Sequence, residues 1–182
     1  MNHFCNQWWK YTTQLGDCIP FWIYEGLVSV ILLGSVVFIA YKGWRKGLRY
    51  SAALIWICYI SMLFSSTVFC RNVAFQTRYE LTPFWSYKAI SEGNEYLLIE
   101  NLMNIVVFFP VGLLLSFAFR NIKWWQVGLI GLGLSLSIEI LQFIFHCGFS
   151  ELDDVLHNTI GCLIGGILIG IKRIYRELCY TN

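Results

Sequence analysis

Apolar residues dominate the chain in five long runs separated by short polar segments. Each run approaches or exceeds the ~20 residues that an α-helix needs to cross the ~30 Å hydrocarbon core of a bilayer. None of them alternates apolar and polar side chains as a membrane β-barrel does, so helices must satisfy the backbone hydrogen bonds. The pattern predicts an all-α bundle of about five transmembrane helices. The predicted spans are Phe21–Tyr41, Leu48–Cys70, Asn101–Phe119, Trp124–His146 and Val155–Ile171.

The basic residues predict how these helices are oriented. Nine Lys and Arg side chains fall on the side reached after the first, third and fifth spans, and four fall on the other side. Short loops rich in Lys and Arg stay in the cytoplasm, which places the N-terminus outside and the C-terminus inside. We therefore expect three parts: an extracytoplasmic segment over 1–20, a transmembrane domain over 21–171 and a cytoplasmic tail over 172–182.

The N-terminal segment carries its own apolar stripe. Phe4, Trp8, Tyr11 and Leu15 recur at helical spacing, which favours a short helix lying in the membrane interface. An irregular tail with aromatic side chains is the alternative.

Composition restricts the class of protein further. The chain is 57% hydrophobic and 13% charged, against roughly 25% charge in an ordinary soluble domain. A net charge of +2 excludes a strongly basic nucleic-acid binder. The expected partner is the lipid bilayer itself, in a multi-pass protein of the bacterial cytoplasmic membrane.

A few polar side chains lie inside the predicted helices, although a charge at mid-membrane costs about 2.5–3.5 kcal/mol on insertion scales. Spacings of three or four residues place them on common helix faces. Helical rise places them at one level in the outer half of the membrane. We predict a polar site there. Its candidate residues are Glu100, Asn104, Glu139, Gln142, Asp153, Asp154 and Asn158.

Simpler explanations exist for most of these residues. Asn and Gln hold membrane helices together through hydrogen bonds. An aspartate at the start of the fifth span is expected as an N-cap. His146 and His157 are expected as interfacial polar tips rather than metal ligands.

The outer loop, about residues 71–100, is a candidate to fold back over the polar level. No catalytic motif is recognised, and we expect no metal or cofactor.

Three motifs resemble the VanZ-like family of bacterial membrane proteins. They are N-x-x-x-F-x-P-x-G from Asn104, S-x-x-I-E-x-x-Q ending at Gln142, and D-D-x-x-x-N-x-x-G from Asp153, all within about 81–171. The segment 147–150 before the third motif lacks an arginine that the family leads us to expect. The resemblance implies a link to low-level resistance to the glycopeptide teicoplanin.

Three hypotheses follow from the polar level and the resemblance. In the first, the site binds or shields a cell-envelope component such as a lipid-linked precursor. In the second, the protein is an intramembrane enzyme that acts on such a substrate through Glu139 and Asp154. In the third, the polar residues are interhelical glue in a structural or partner subunit.

Overall fold

A computed structural model describes residues 21–71 and 78–180, with side chains for all of these except 21–29, 32, 45 and 172–180. The helices are α1 (Phe21–Lys42), α2 (Trp44–Phe64), α3 (Trp85–Ser91), α4 (Tyr96–Ala118), α5 (Trp124–Phe145) and α6 (Leu152–Tyr180). A π-helical turn, Ser65–Phe69, extends α2. Strands β1 (Arg78–Glu80) and β2 (Phe149–Glu151) form a two-stranded sheet. The interfacial helix predicted from Phe4, Trp8, Tyr11 and Leu15 lies outside the described residues.

The prediction of an all-α polytopic membrane protein is confirmed. Within the described residues, four helical segments are long and apolar enough to cross a membrane: Lys46–Phe69, Tyr96–Ala118, Trp124–Phe145 and Leu152–Ile171. The predicted first span corresponds to α1, a helix of 22 residues in which Leu33–Lys42 counts as a shorter apolar helix. The inside–outside orientation stays a prediction.

The chain divides into two compact units. Among the described residues, the first unit comprises 21–71, 78–79 and 140–149, and the second comprises 80–139 and 150–180. In the first unit α1 packs on α2, with the rings of Phe38 and Tyr50 stacked at 5.4 Å between centroids. The second unit contains α3, α4, α6 and most of α5.

Close packing of α4 against α6 forms the centre of the second unit, and it is the most extensive helix–helix contact in the described part of the chain. A Cβ atom at Gly161 would collide with the carbonyl oxygen of Ile105, and one at Gly165 with that of Phe109. Small residues let membrane helices approach backbone to backbone. The G-x-x-x-G spacing of α6 therefore sets how closely the polar groups of α4 and α6 can meet.

Replacing these glycines tests the backbone contact. We expect Gly161→Ala and Gly165→Ala each to lower the free energy of unfolding by about 1–3 kcal/mol, because the added methyl group forces the helices apart. Gly170→Ala on the same helix is the matched control, since its Cβ would meet no atom within 4 Å. Unfolding of the purified protein by SDS in mixed micelles measures the change. Equal stability of all three variants would contradict the close α4–α6 packing.

Candidate polar site

Asp153 joins the outer loop to α6. Its Oδ1 accepts the backbone N–H of Phe84 at 2.7 Å, and its Oδ2 accepts the backbone N–H of Ser86 at 3.0 Å and the Ser86 hydroxyl at 2.6 Å. Phe84 and Ser86 open α3, where backbone N–H groups lack partners within the helix. Asp153, with 0% of its surface exposed, therefore caps α3 from a distant part of the sequence.

This contact corrects the expectation that an aspartate caps the helix on which it lies. Asp153 and Asp154 lie in the first turn of α6, which begins at Leu152. The side chain of Asp153 is directed to α3 and that of Asp154 to α4. Phe84 adopts a left-handed conformation with φ 62°, which is unfavourable for a bulky residue. Its hydrogen bond to Asp153 stabilises this conformation.

Ser86 extends the contact to α4. Its hydroxyl, which donates to Asp153, also accepts a hydrogen bond from Asn101 Nδ2 at 3.1 Å. Both Ser86 and Asn101 are buried. A carboxylate, a hydroxyl and an amide from three helices thus form one buried chain of hydrogen bonds.

His157 lies one turn further along α6. Its Nε2 is 2.9 Å from the hydroxyl of Tyr87 in α3, and the residue is only 2% exposed. The expectation that His157 is an interfacial polar tip is wrong, because α3 covers it. His146, by contrast, is exposed at the end of α5.

Glu139 and Glu151 meet where β2 leads into α6. Glu139 Oε2 accepts the backbone N–H of Glu151 at 2.9 Å, and the hydroxyl of Ser150 donates to the Glu139 carbonyl at 3.1 Å. Glu151 Oε2 in turn accepts the indole N–H of Trp85 at 3.0 Å. Glu139 is 6% exposed and Glu151 is 5% exposed. Two carboxyl groups therefore lie beside one short turn of backbone.

The surroundings of Glu151 favour its protonated form. Burial, followed by repulsion from the charge of Glu100, raises the pKa of Glu151 to about 7. Glu139 and Asp153 add smaller repulsions, while the hydrogen bond from Trp85 acts in the opposite direction. A carboxyl group at this position changes charge near neutral pH.

Two side-chain amides complete the links between helices. Asn104 Nδ2 on α4 donates to Asp154 Oδ1 on α6 at 2.6 Å. Asn158 Nδ2 on α6 donates to the hydroxyl of Ser135 on α5 at 2.8 Å. The level that helical rise predicts for α4, α5 and α6 is therefore a level at which these helices exchange hydrogen bonds.

Gln142 differs from the other candidates, because it belongs to the first unit. Its Nε2 donates to the carbonyl of Thr67 in the π-helical turn at 3.0 Å. Arg71, also in the first unit, places its guanidinium beside Gly148. A basic group thus lies next to the segment that lacks the expected arginine, although a different part of the sequence supplies it.

Six of the seven predicted residues, all except Gln142, lie in the second unit. Asp153, Asp154, Glu139 and Asn158 make hydrogen bonds to other elements, and Glu100 acts on Glu151 through its charge. Sequence reasoning missed the outer-loop partners Trp85, Ser86 and Tyr87, and it left Glu151 out of the site. Among the described residues, no three His, Cys, Asp or Glu side chains are grouped so that they could hold a metal ion.

Asp153→Asn tests the capping contact. The amide group of asparagine presents N–H atoms where the carboxylate accepts from Phe84 and Ser86. We expect unfolding to become easier by about 1–3 kcal/mol, the usual cost of leaving a buried polar group unpaired. SDS titration followed by tryptophan fluorescence measures this. Glu92→Gln, a similar change at the exposed C-terminal end of α3, is the control. Equal loss in both variants would argue against the cap.

The raised pKa of Glu151 predicts that the stability of the protein depends on pH. Its pKa in the folded protein lies above the unfolded value of 4.5, so the folded state binds this proton more tightly. This contribution is complete below pH 4.5 and is lost as the pH rises through about 7. Screening by solvent keeps the loss below the full value of the shift, at about 1–2 kcal/mol.

Comparing wild type with Glu151→Gln isolates this contribution. Glutamine keeps an acceptor for Trp85 but does not titrate in this range. The difference in unfolding free energy between the two proteins should therefore change between pH 4.5 and 7, in favour of the variant at the higher pH. A difference independent of pH would show that Glu151 does not titrate as described.

Comparison with known proteins matches most of the sequence. The VanZ/LLP1 family model matches residues 47–173, a range that includes all seven predicted site residues. Protein VanZ of Enterococcus faecium is 34% identical over 125 residues, which cover 68% of this chain and 71% of that protein. No solved structure matches the chain. The extent of these sequence matches shows that the chain belongs to the VanZ/LLP1 family.

Proposed function

We propose that this membrane protein binds or shields a cell-envelope component at the polar level of its second unit, on the outer side of the bacterial cytoplasmic membrane. In doing so it lowers susceptibility to glycopeptides such as teicoplanin. The observation that carries the proposal is the grouping of acidic side chains around Glu151. The family membership supports the link to glycopeptides.

The acidic side chains around Glu151 repel one another, which is more typical of a binding site than of a stable core. Repulsion from Glu100, Glu139 and Asp153 disfavours the charged form of Glu151. Such repulsion opposes folding, and intramembrane ionisable groups are functional by default. A ligand that offers hydrogen-bond donors or positive charge to these carboxyl groups would relieve the repulsion.

Charge also selects the part of the ligand that contacts the site. Carboxylates attract ammonium groups and accept from hydroxyl groups, but they repel phosphate. For a lipid-linked precursor, the sugar or amine-bearing portion therefore contacts these residues, and the phosphate lies away from them. The exposed rings of Phe84, just before α3, and Tyr87, on α3, have centroids 6.0 Å apart and offer an apolar surface on the segment that Asp153 holds.

Neutral variants of two carboxylates test the proposal. Glu139→Gln and Asp154→Asn remove a charge but keep an oxygen that can accept the hydrogen bonds from Glu151 N–H and Asn104. We expect teicoplanin protection in a susceptible host to fall toward the level without the protein. Inhibitory concentrations, together with membrane abundance and thermal midpoint of each variant, measure this.

Glu95→Gln is the control, because Glu95 is exposed at the start of α4. It should protect as the wild type does. Full protection by both neutral variants, at wild-type abundance and midpoint, would overturn the proposed role of the site.

A structural role is the second candidate, and a specific observation favours it. Asp153, Asp154, Glu139 and Glu151 each accept at least one hydrogen bond from within the second unit. If this role is sufficient, protection and thermal midpoint will fall together in every variant. Loss of protection at an unchanged midpoint supports binding instead.

The hypothesis of an intramembrane enzyme stays a prediction. Its test is turnover of a lipid-linked substrate by the purified protein, with Glu139→Gln as the inactive variant.

A further inference from the structure

The first unit contains a second polar arrangement, centred on Gly148. A Cβ atom at this position would lie 2.6 Å from Arg71 Nη1 and 3.5 Å from Gln142 Cδ. Gly148 has φ +127°, a conformation that other residues rarely adopt. Because the side chain is absent, the guanidinium of Arg71 and the amide of Gln142 converge over the half-buried backbone of Gly148.

The π-helical turn explains why Gln142 has an unused acceptor. In this turn the N–H of Cys70 bonds to Ser65 and that of Arg71 to Val68, so the Thr67 carbonyl is left to accept Nε2 of Gln142. This hydrogen bond fixes the Gln142 amide so that its Oε1 points away from Thr67. Oε1 is buried and has no hydrogen-bond partner among the described residues, although the side chain is only 5% exposed. A buried acceptor without a partner destabilises the folded protein.

Arg71 supplies donors beside this acceptor. Within the described part of the chain, no carboxylate forms an ion pair with its half-buried guanidinium. Residues 72–77 contain no acidic side chain. Its charge acts on the buried thiol of Cys147, where burial raises the pKa and Arg71 acts in the opposite direction. Among the described residues, the guanidinium is thus a planar set of donors without a carboxylate partner.

Arg71 and Gly148 lie just beyond the ends of two membrane spans. The span Lys46–Phe69 ends two residues before Arg71, and the span Trp124–Phe145 ends three residues before Gly148. A residue just beyond the end of a transmembrane helix is at the depth of the lipid headgroups. The anions available at this depth are phosphates.

We propose that Arg71, Gln142 and Gly148 form a binding site for a phosphate group that carries a neighbouring hydroxyl, as in the headgroup of phosphatidylglycerol. The phosphate oxygens accept from the guanidinium, whose fork matches their geometry. The neighbouring hydroxyl donates to Gln142 Oε1, and the missing side chain of Gly148 lets the guanidinium lie against the backbone next to Gln142. This site is independent of the proposed function, because all of its residues belong to the first unit.

Thermal unfolding of the purified full-length protein in a neutral detergent tests the site. Dihexanoylphosphatidylglycerol should raise the midpoint, and the rise should grow with the logarithm of its concentration. Dihexanoylphosphatidylcholine, which lacks the hydroxyl and carries a fixed positive charge, should raise it less. Inorganic phosphate is the third probe. A rise with phosphate equal to that with the lipid would identify a site for free phosphate.

Variants connect the effect to Arg71. Arg71→Gln should abolish the response to phosphatidylglycerol, and Arg71→Lys should weaken it, because lysine keeps the charge but loses the fork. Arg78→Gln is the matched control, since Arg78 is an exposed arginine nearby in the sequence and should leave the response intact. Midpoints without lipid show whether each variant folds.

Two results would overturn the proposal. One is an equal response to phosphatidylcholine and phosphatidylglycerol in the wild type. The other is an unchanged response to phosphatidylglycerol in Arg71→Gln. Neither result affects protection against teicoplanin, so this proposal and the proposed function fail separately.

Discussion

The carboxylate of Asp153 is the contact on which the outer loop and α6 depend. A buried carboxylate is costly unless donors surround it. The start of α3 provides two backbone N–H groups and one hydroxyl, which are themselves in need of acceptors. The Asp153 carboxylate therefore gains the donors it needs, and the donors at the start of α3 gain an acceptor. Once α3 is held in this way, Trp85 reaches Glu151 and Tyr87 reaches His157.

The hydrogen bond between Asn104 and Asp154 depends on the close approach of α4 and α6. Gly161 and Gly165 allow the two backbones to touch, and at that separation a short side chain such as Asn104 reaches Asp154. Larger residues at the glycine positions would move α6 outward and lengthen every hydrogen bond along the interface. The small residues and the polar residues of α6 are thus parts of one arrangement.

Hydrophobicity predicted the helices well, because the length of apolar chain that crosses a bilayer is fixed by physics. Spacing also predicted that α4, α5 and α6 share a polar level in the outer half of the membrane, and this level stays a prediction. The hydrogen bonds Asn104–Asp154 and Asn158–Ser135 show that polar side chains of these helices meet. Whether that level is a functional site stays a prediction. The partners from the outer loop could not be predicted, because Ser86 lies 67 residues from Asp153 and no local pattern links them. Gln142 shares a helix face with Glu139, yet its partner is Thr67, which only the fold reveals.

The donors that bind the carboxyl groups are neutral in each hydrogen bond described above. Backbone N–H, hydroxyl, indole and amide donors hold a carboxylate in place without cancelling its charge, whereas a lysine or arginine would cancel it. Repulsion around Glu151 persists in the folded protein, and together with burial, which is the larger cause, it raises the pKa of that group to about 7. A protein that needed only to join its helices would gain stability by neutralising this charge. Under the proposed function a ligand with positive charge would use this repulsion, whereas in a purely structural role the repulsion would only reduce the stability gained from joining the helices.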